Sequence, residues 1–308
     1  MIKNGDIKPH AAYEIAPDGR SKAPADEVGS NASEATPPVS QNFSQFDAMF
    51  ATVVKPPSYD PYHGDDKFKR KLIKRGKHLL VVTCMKGGNG KSTTSSALVE
   101  ACKHHRISSL AMEGDDLIRD FAAAYKADSD LRTLGLDILK DTGVDGLTQV
   151  MSTGISPIIL NCPATSAAVL QSQRDAIAMA VEDHGYELTF LWPIAADELT
   201  LPALDDFMTA FPFATTHAVL NLKESEYGEL SEFNAWRVSP VRLRLEKQGR
   251  ALVMPCGPAE LMAMRASKKV SFRELSQDRA YQTRPRAGLN GWLKTMRGQF
   301  GRVLDFEG

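Results

Sequence analysis

At 308 residues, 43% of them hydrophobic, and with a formal net charge of −1, the chain can bury one large core with tails, or two small ones. No run approaches the roughly 20 apolar residues of a membrane-spanning helix, no early stretch has the form of a signal peptide, and Cys84, Cys102, Cys162 and Cys256 lie far apart with no C-x-x-C spacing. A disulfide-stapled or membrane-spanning protein is thereby disfavoured and a reducing cytoplasm expected, while the near-neutral total conceals a basic last quarter, with 15 Lys/Arg against 6 Asp/Glu from Trp236 onward.

Residues 1–65 are rich in Pro, Ser, Ala, Asn and Asp with scattered aromatics, and such a segment cannot offset its own ordering entropy. A disordered arm is expected there. Within it Phe43 to Phe50 could form a helix with one apolar face, on a partner or on the chain's own body. Residues 66–77 form a basic linker (Lys67, Lys69, Arg70, Lys71, Lys74, Arg75, Lys77), able to hold nucleic acid or acidic lipid, or simply solvated.

From His78 the pattern changes to short apolar runs alternating with amphipathic stretches. Strands are expected at 78–84, 107–113, 156–161, 187–194, 215–222 and 250–255. Helices are expected near 91–105, 116–125, 165–183, 197–210, 239–248 and 258–266. Ser239-Pro240 is a good start and Gly249 a good stop for the helix between them. This rhythm predicts an α/β fold: a mostly parallel, doubly wound sheet flanked by helices, with ligand at the carboxyl ends of the strands.

The first strand runs into Val81-Val82-Thr83-Cys84-Met85-Lys86-Gly87-Gly88-Asn89-Gly90-Lys91-Ser92-Thr93. Glycines let the backbone turn its N–H groups inward around a polyphosphate, Lys91 sets a cation against the outer phosphates, and the Ser92 hydroxyl can ligate Mg2+. The cofactors expected are therefore ATP and Mg2+. The usual G-x-x-x-x-G-K-[ST] pattern is not met strictly, since Met85 stands at the first glycine and an additional lysine, Lys86, follows it.

Lys86-Gly87-Gly88-Asn89-Gly90-Lys91-Ser92 resembles the deviant Walker A loop K-G-G-x-G-K-[ST] of the ParA/MinD family of P-loop ATPases. The resemblance covers residues 78 to about 275, leaving 276–308 as a basic amphipathic tail. It implies a P-loop NTPase fold and a homodimer in the ATP state, with Lys86 reaching across to the partner's phosphates. Met112-Glu113-Gly114-Asp115-Asp116 resembles the family's D-x-D switch segment, with Glu for the first Asp. Asp115 then matches the acid that orients the attacking water, although Asp115 and Asp116 could instead cap a helix beginning at Leu117. Ile158 to Pro163 looks like the Walker B segment with Asn161 for its Asp. Asn161 would orient Mg2+ through water without adding negative charge, so hydrolysis is expected to be weak or partner-dependent. Asn221 and Pro255 match positions that contact adenine.

Such proteins use DNA or a membrane as their surface. Arg242, Arg244, Lys247, Arg250, Arg265, Lys268, Lys269 and Arg273 could meet DNA phosphates without reading sequence, or remain solvated while their stems cover the sheet. Leu289, Trp292, Leu293, Met296, Phe300, Val303 and Leu304 form an apolar helical stripe, which could rest on a lipid surface or pack on its own domain. The leading expectation is a dimerising ATPase that partitions plasmid or chromosomal DNA, or positions a cellular or conjugative machine through an unknown protein adaptor. A weakly hydrolysing nucleotide-gated scaffold is the alternative. A metabolic enzyme on the same fold is a third, for which only Cys162 lies near a switch.

Overall fold

Short apolar runs separated by helices pair in parallel, because each helix carries the chain back over a sheet face before the next strand begins. The computed structural model describes residues 76–115, 120–196, 201–224 and 227–304. The expected arm at 1–65, its Phe43–Phe50 segment and the linker up to residue 75 lie outside the described residues. The strands are β1 (Lys77–Val82), β2 (Leu110–Glu113), β3 (Arg132–Gly135), β4 (Ile158–Asn161), β5 (Tyr186–Ile194), β6 (Thr215–Asn221) and β7 (Ala251–Met254). They form a seven-stranded sheet in the order β3-β2-β4-β1-β5-β6-β7, parallel at every pairing. The expected doubly wound fold is the fold found.

The helices among the described residues are α1 (Lys91–His104), α2 (Asp120–Ala123), α3 (Gly143–Ser152), α4 (Ser166–Ser172), α5 (Arg174–His184), α6 (Leu201–Ala210), α7 (Asn234–Val238), α8 (Pro240–Lys247), α9 (Ala259–Lys268), α10 (Phe272–Gln277) and α11 (Thr283–Val303). The start read at Ser239-Pro240 is present: Ser239 accepts the Val241 N–H at 3.2 Å, and Gly249 follows in the left-handed region at φ 67°. The single helix expected over 165–183 breaks at Gln173, which ends α4 and begins α5. Strand β3 and helix α3 were not expected. The β3 residues Arg-Thr-Leu-Gly include one buried apolar side chain, which is too little pattern to read at an edge. In the helix expected over 116–125, residues 116–119 lie outside the described residues, so the capping role considered for Asp116 does too.

Helix α11 settles on α1. Leu289, Trp292, Leu293, Met296 and Phe300 are all buried in one cluster with Leu98, Ala101 and Cys102. The indole of Trp292 donates to the Pro255 carbonyl at 2.8 Å and its ring lies 4.8 Å from that of Phe272. The apolar stripe is thus occupied by the chain's own core, the packing role of the two that sequence leaves open. No helix among the described residues is long and apolar enough to cross a membrane.

Phe300 is fully buried. Phe300→Ala is expected to lower stability in a urea titration by about 3–5 kcal/mol, the usual cost of emptying a phenylalanine site. A loss under about 1 kcal/mol would mean that α11 is not part of the core.

Candidate functional site

Parallel pairing fixes which residues share the carboxyl edge of the sheet. Val82, the last residue of β1, pairs with Asn161, the last of β4, and Asn161 pairs on its other side with Glu113, the last of β2. On the other flank Asn221 pairs with Met254. The chain order reverses on either side of β1, so the loop leaving β1 sits in the crevice where open α/β sheets bind ligands.

That loop turns on two left-handed glycines, Gly88 at φ 84° and Gly90 at φ 97°. A Cβ on Gly90 would lie 2.5 Å from Nδ2 of Asn221 and 3.1 Å from Cε of Met254, whereas one on Gly88 would meet nothing within 4 Å. Gly90 is therefore held by close approach as well as by conformation. It also caps α1, so the uncompensated N–H groups of that helix face the loop. Asn89 is buried and its Nδ2 donates to the Pro193 carbonyl at 3.5 Å, while Gly87, Gly88 and Lys86 are exposed.

Lys91 is 9% exposed, and its ammonium donates to the Lys86 carbonyl at 3.0 Å and to Sγ of Cys84 at 3.7 Å. A cation is thus stored inside the loop. Burial pushes the Cys84 thiol up, against the pull of the Lys91 charge, so this sulfur is a neutral neighbour of that cation.

Ser92, one residue on, is tied to the strand ends. Asn161 is buried, and its Nδ2 donates both to the Ser92 hydroxyl at 3.3 Å and to Oε1 of Glu113, while Ser95 donates to its Oδ1 at 3.1 Å. Glu113 is 1% exposed, and its other oxygen accepts the N–H groups of Phe121 at 2.9 Å and Ala122 at 3.1 Å. Burial raises the Glu113 carboxyl to about 7, opposed by the Asn161 hydrogen bond and those two N–H groups and reinforced by the charge of Asp115. A hydroxyl and a carboxylate so joined are the hard oxygen donors that Mg2+ takes, and the open glycine cradle beside them fits a polyphosphate.

Glu113 stands at the first acid of the D-x-D-like segment, where the sequence assigns it no role of its own. The available signal was its place at the end of a strand, but its pairing with Asn161 is a property of register, which sequence does not display. Asp115 follows β2, half-buried and near enough to Glu113 for their charges to interact. Asn221 has both ends of its amide engaged: Nδ2 donates to the Asn89 carbonyl at 3.1 Å, and Oδ1 accepts the Lys223 N–H at 3.2 Å. Pro255 lies just past β7, half-buried, with its carbonyl bonded to Trp292. Thr93 is half-buried in the first turn of α1.

One cation read as a phosphate contact is not at the surface. Arg265 is 8% exposed, donates to the Ser96 hydroxyl, and stacks 4.7 Å from the Phe272 ring, so it belongs to the core beneath α1. Arg242 pairs with Glu246, Arg244 with Asp205 and Lys269 with Asp120, which leaves Lys247, Lys268 and Arg273 as exposed cations, and Arg250 as a half-buried one, outside those ion pairs. Cys162 is fully buried, with its thiol pushed up to about 12 by that burial, and no cluster of His, Cys, Asp or Glu among the described residues could hold a metal.

A parallel sheet of this order, with a glycine loop feeding the helix after its central strand and Lys-Ser opening that helix, is the arrangement of the P-loop NTPase fold. The chain is similar to Protein MobD of Acidithiobacillus ferrooxidans, 26% identical over 224 residues that span 70% of this chain and 93% of that protein. No protein-family model matches it. Similar solved structures include the cell division ATPase MinD of Pyrococcus furiosus, with a TM-score of 0.45 and 16% identity over 74% of this chain and 99% of that one. Another is the septum site-determining protein MinD complexed with Mg-ADP from Pyrococcus horikoshii OT3, with a TM-score of 0.45 and 14% identity over 74% of this chain and 97% of that one.

Gly90→Ala places a Cβ where both φ and Asn221 oppose it. It is expected to cost at least about 1 kcal/mol in chemical denaturation. Gly291→Ala in α11, where a Cβ meets nothing within 4 Å, is expected to be neutral or stabilising by up to about 1 kcal/mol. Equal effects at the two positions would show that Gly90 is not sterically required.

Proposed function

We propose that the chain is a Mg2+-dependent P-loop ATPase of the ParA/MinD type that dimerises with ATP bound, and that it partitions plasmid or chromosomal DNA or positions a cellular or conjugative machine. The observation that carries this reading is the hydrogen-bonded set Ser92–Asn161–Glu113 beside the loop of Lys86 to Lys91. In this reading the loop N–H groups and Lys91 hold the phosphates, and the Ser92 hydroxyl holds Mg2+. Bound Mg2+ would neutralise charge on the outer phosphates. Asp115, at the same strand edge, orients water, and Asn221 and Pro255 line the base side. Lys86 is exposed on the loop, as a residue that serves a second subunit must be.

Glu113 bears on how much turnover to expect. Asn161 is neutral where the resembling family carries a carboxylate, and that neutrality favours a scaffold with little hydrolysis. A carboxyl one strand away, hydrogen-bonded to the same Asn161 amide, restores an ionisable oxygen to the neighbourhood of Ser92. We therefore assign Glu113 to hold the charge that Asn161 lacks, with Asn161 positioning both Glu113 and Ser92. This favours an active ATPase over the scaffold. The DNA surface in this reading is the set Lys247, Lys268 and Arg273, which contact phosphates without reading bases, so binding should weaken steeply with added salt.

Lys91→Ala is expected to abolish MgATP binding in calorimetry, and retention of wild-type affinity would remove the nucleotide assignment. Lys86→Ala is expected to bind MgATP normally yet stay monomeric in analytical ultracentrifugation; an ATP-dependent dimer with full turnover would rule out its cross-subunit role.

Glu113→Gln is expected to weaken Mg2+ binding about 10- to 100-fold, the usual effect of removing a group that orients a metal ligand. Asn161→Asp exchanges a donor to Glu113 for a second buried carboxylate. Its melting temperature without divalent cation should fall and be recovered by MgADP more strongly than the wild type's. Equal recovery in the two proteins would remove Glu113 from the metal's surroundings.

A further inference from the structure

Helix α1 begins at the phosphate loop and ends at His104, about 20 Å away at 1.5 Å per residue. At that far end it faces α11 across a half-open cavity of about 630 Å3, lined by His104, His105, Asn290, Lys294, Arg297 and Arg302, with Gly298 among them. Among the described residues the lining has three cations and two imidazoles and no carboxylate. Arg242 and Arg244 on α8 each face a carboxylate, whereas no ion pair among the described residues involves Lys294, Arg297 or Arg302. Glu100, one turn back along α1, is electrostatically linked to Arg297, but it is buried and already accepts from the Tyr125 hydroxyl and the Arg273 N–H.

Two details separate this cluster from an ordinary solvated face. The Nε of Arg297 is sealed from solvent and has no hydrogen-bond partner, so one donor of this half-buried guanidinium is unmet. Gly298 lies inside α11, where glycine weakens a helix, and a Cβ there would meet nothing within 4 Å, so packing does not account for it. It lines the cavity without a side chain of its own. Helix dipoles account for cations in the last turns, such as His104 and Arg302, but not for Lys294 and Arg297 further inside α11.

We propose that this cavity is a second anion site, separate from the phosphate loop, that binds a compact ligand carrying closely spaced phosphate groups. Its volume lies in the range of about 300–1,000 Å3 that suits a nucleotide-sized molecule. Lys294, Arg297 and Arg302 lie within about 12 Å along one helix, within reach for their long side chains to converge on a ligand with two or three linked phosphates. Asn290 and His104 add neutral polar groups at the rim. A concave site of this size favours a compact oligophosphate over a nucleic-acid strand, whose phosphates are best met along an open charged groove.

The test uses the full chain with MgADP already bound and Mg2+ in excess, into which inorganic tripolyphosphate is titrated by calorimetry. Binding is expected, at least tenfold weaker in the Lys294→Gln/Arg302→Gln double variant, in which both altered residues are exposed. It should be similarly weakened in Gly298→Glu, which sets a negative charge in the lining at a position open enough to accept it. MgADP affinity should stay within twofold of wild type in both variants. A short single-stranded oligonucleotide should bind at least tenfold more weakly than tripolyphosphate; equal or tighter binding overturns the compact-ligand assignment. Absence of tripolyphosphate binding, or binding that neither variant changes, overturns the site itself. If MgADP does not bind, the nucleotide reading falls, while the comparison of wild type with the two variants still decides the cavity.

Discussion

The row Val82–Asn161–Glu113 is set by backbone pairing before any side chain is chosen. Two parallel ladders, β1 with β4 and β4 with β2, end on the same level, and from that level the loop departs and α1 returns. From that level Asn161 reaches Ser92 and Ser95 on α1 and Glu113 on the neighbouring strand. The hydrogen bonds among the three follow from that alignment.

The same constraint explains how the loop keeps a shape rich in exposed glycine. Asn221, at the end of β6, holds the Asn89 carbonyl and touches Gly90, so a strand that contributes nothing else to the cradle braces it from the side. Lys91 folds inward on the Lys86 carbonyl and satisfies an acceptor of the loop itself. Below, Ser96 donates to the Ser92 carbonyl at 2.7 Å and receives a hydrogen bond from the buried Arg265. A polar path thus runs from the C-terminal helices to the first turn of α1.

Helix α11 ties the end of the chain to this arrangement. Its apolar stripe covers α1, and its basic residues then converge on the far end of that helix. The helix that presents its N-terminus to the loop therefore presents its C-terminus to a cationic cavity. Burying Leu289, Trp292, Leu293, Met296 and Phe300 removes from water the surface that a lipid layer would otherwise have taken. The terminal segment is thus a supporting wall of the domain.

Local chemistry was legible in the sequence. The glycine loop, Lys91 and Ser92 follow one another along the chain, and the alternation of apolar runs with helical stretches is a local period, so the fold class and the cradle could be read directly. The cap at Ser239 and the stop at Gly249 were legible for the same reason. Tertiary structure alone decided what depends on neighbours distant in sequence: that Glu113 lies beside Asn161 across 48 residues, that Arg265 points into the core, that the α11 stripe is covered, and that Lys294, Arg297 and Arg302 gather opposite His104. Residue type and spacing specify what a side chain can do. Only register and packing specify which partner stands within a few ångströms of it, and at this site and this cavity the partner decides the chemistry.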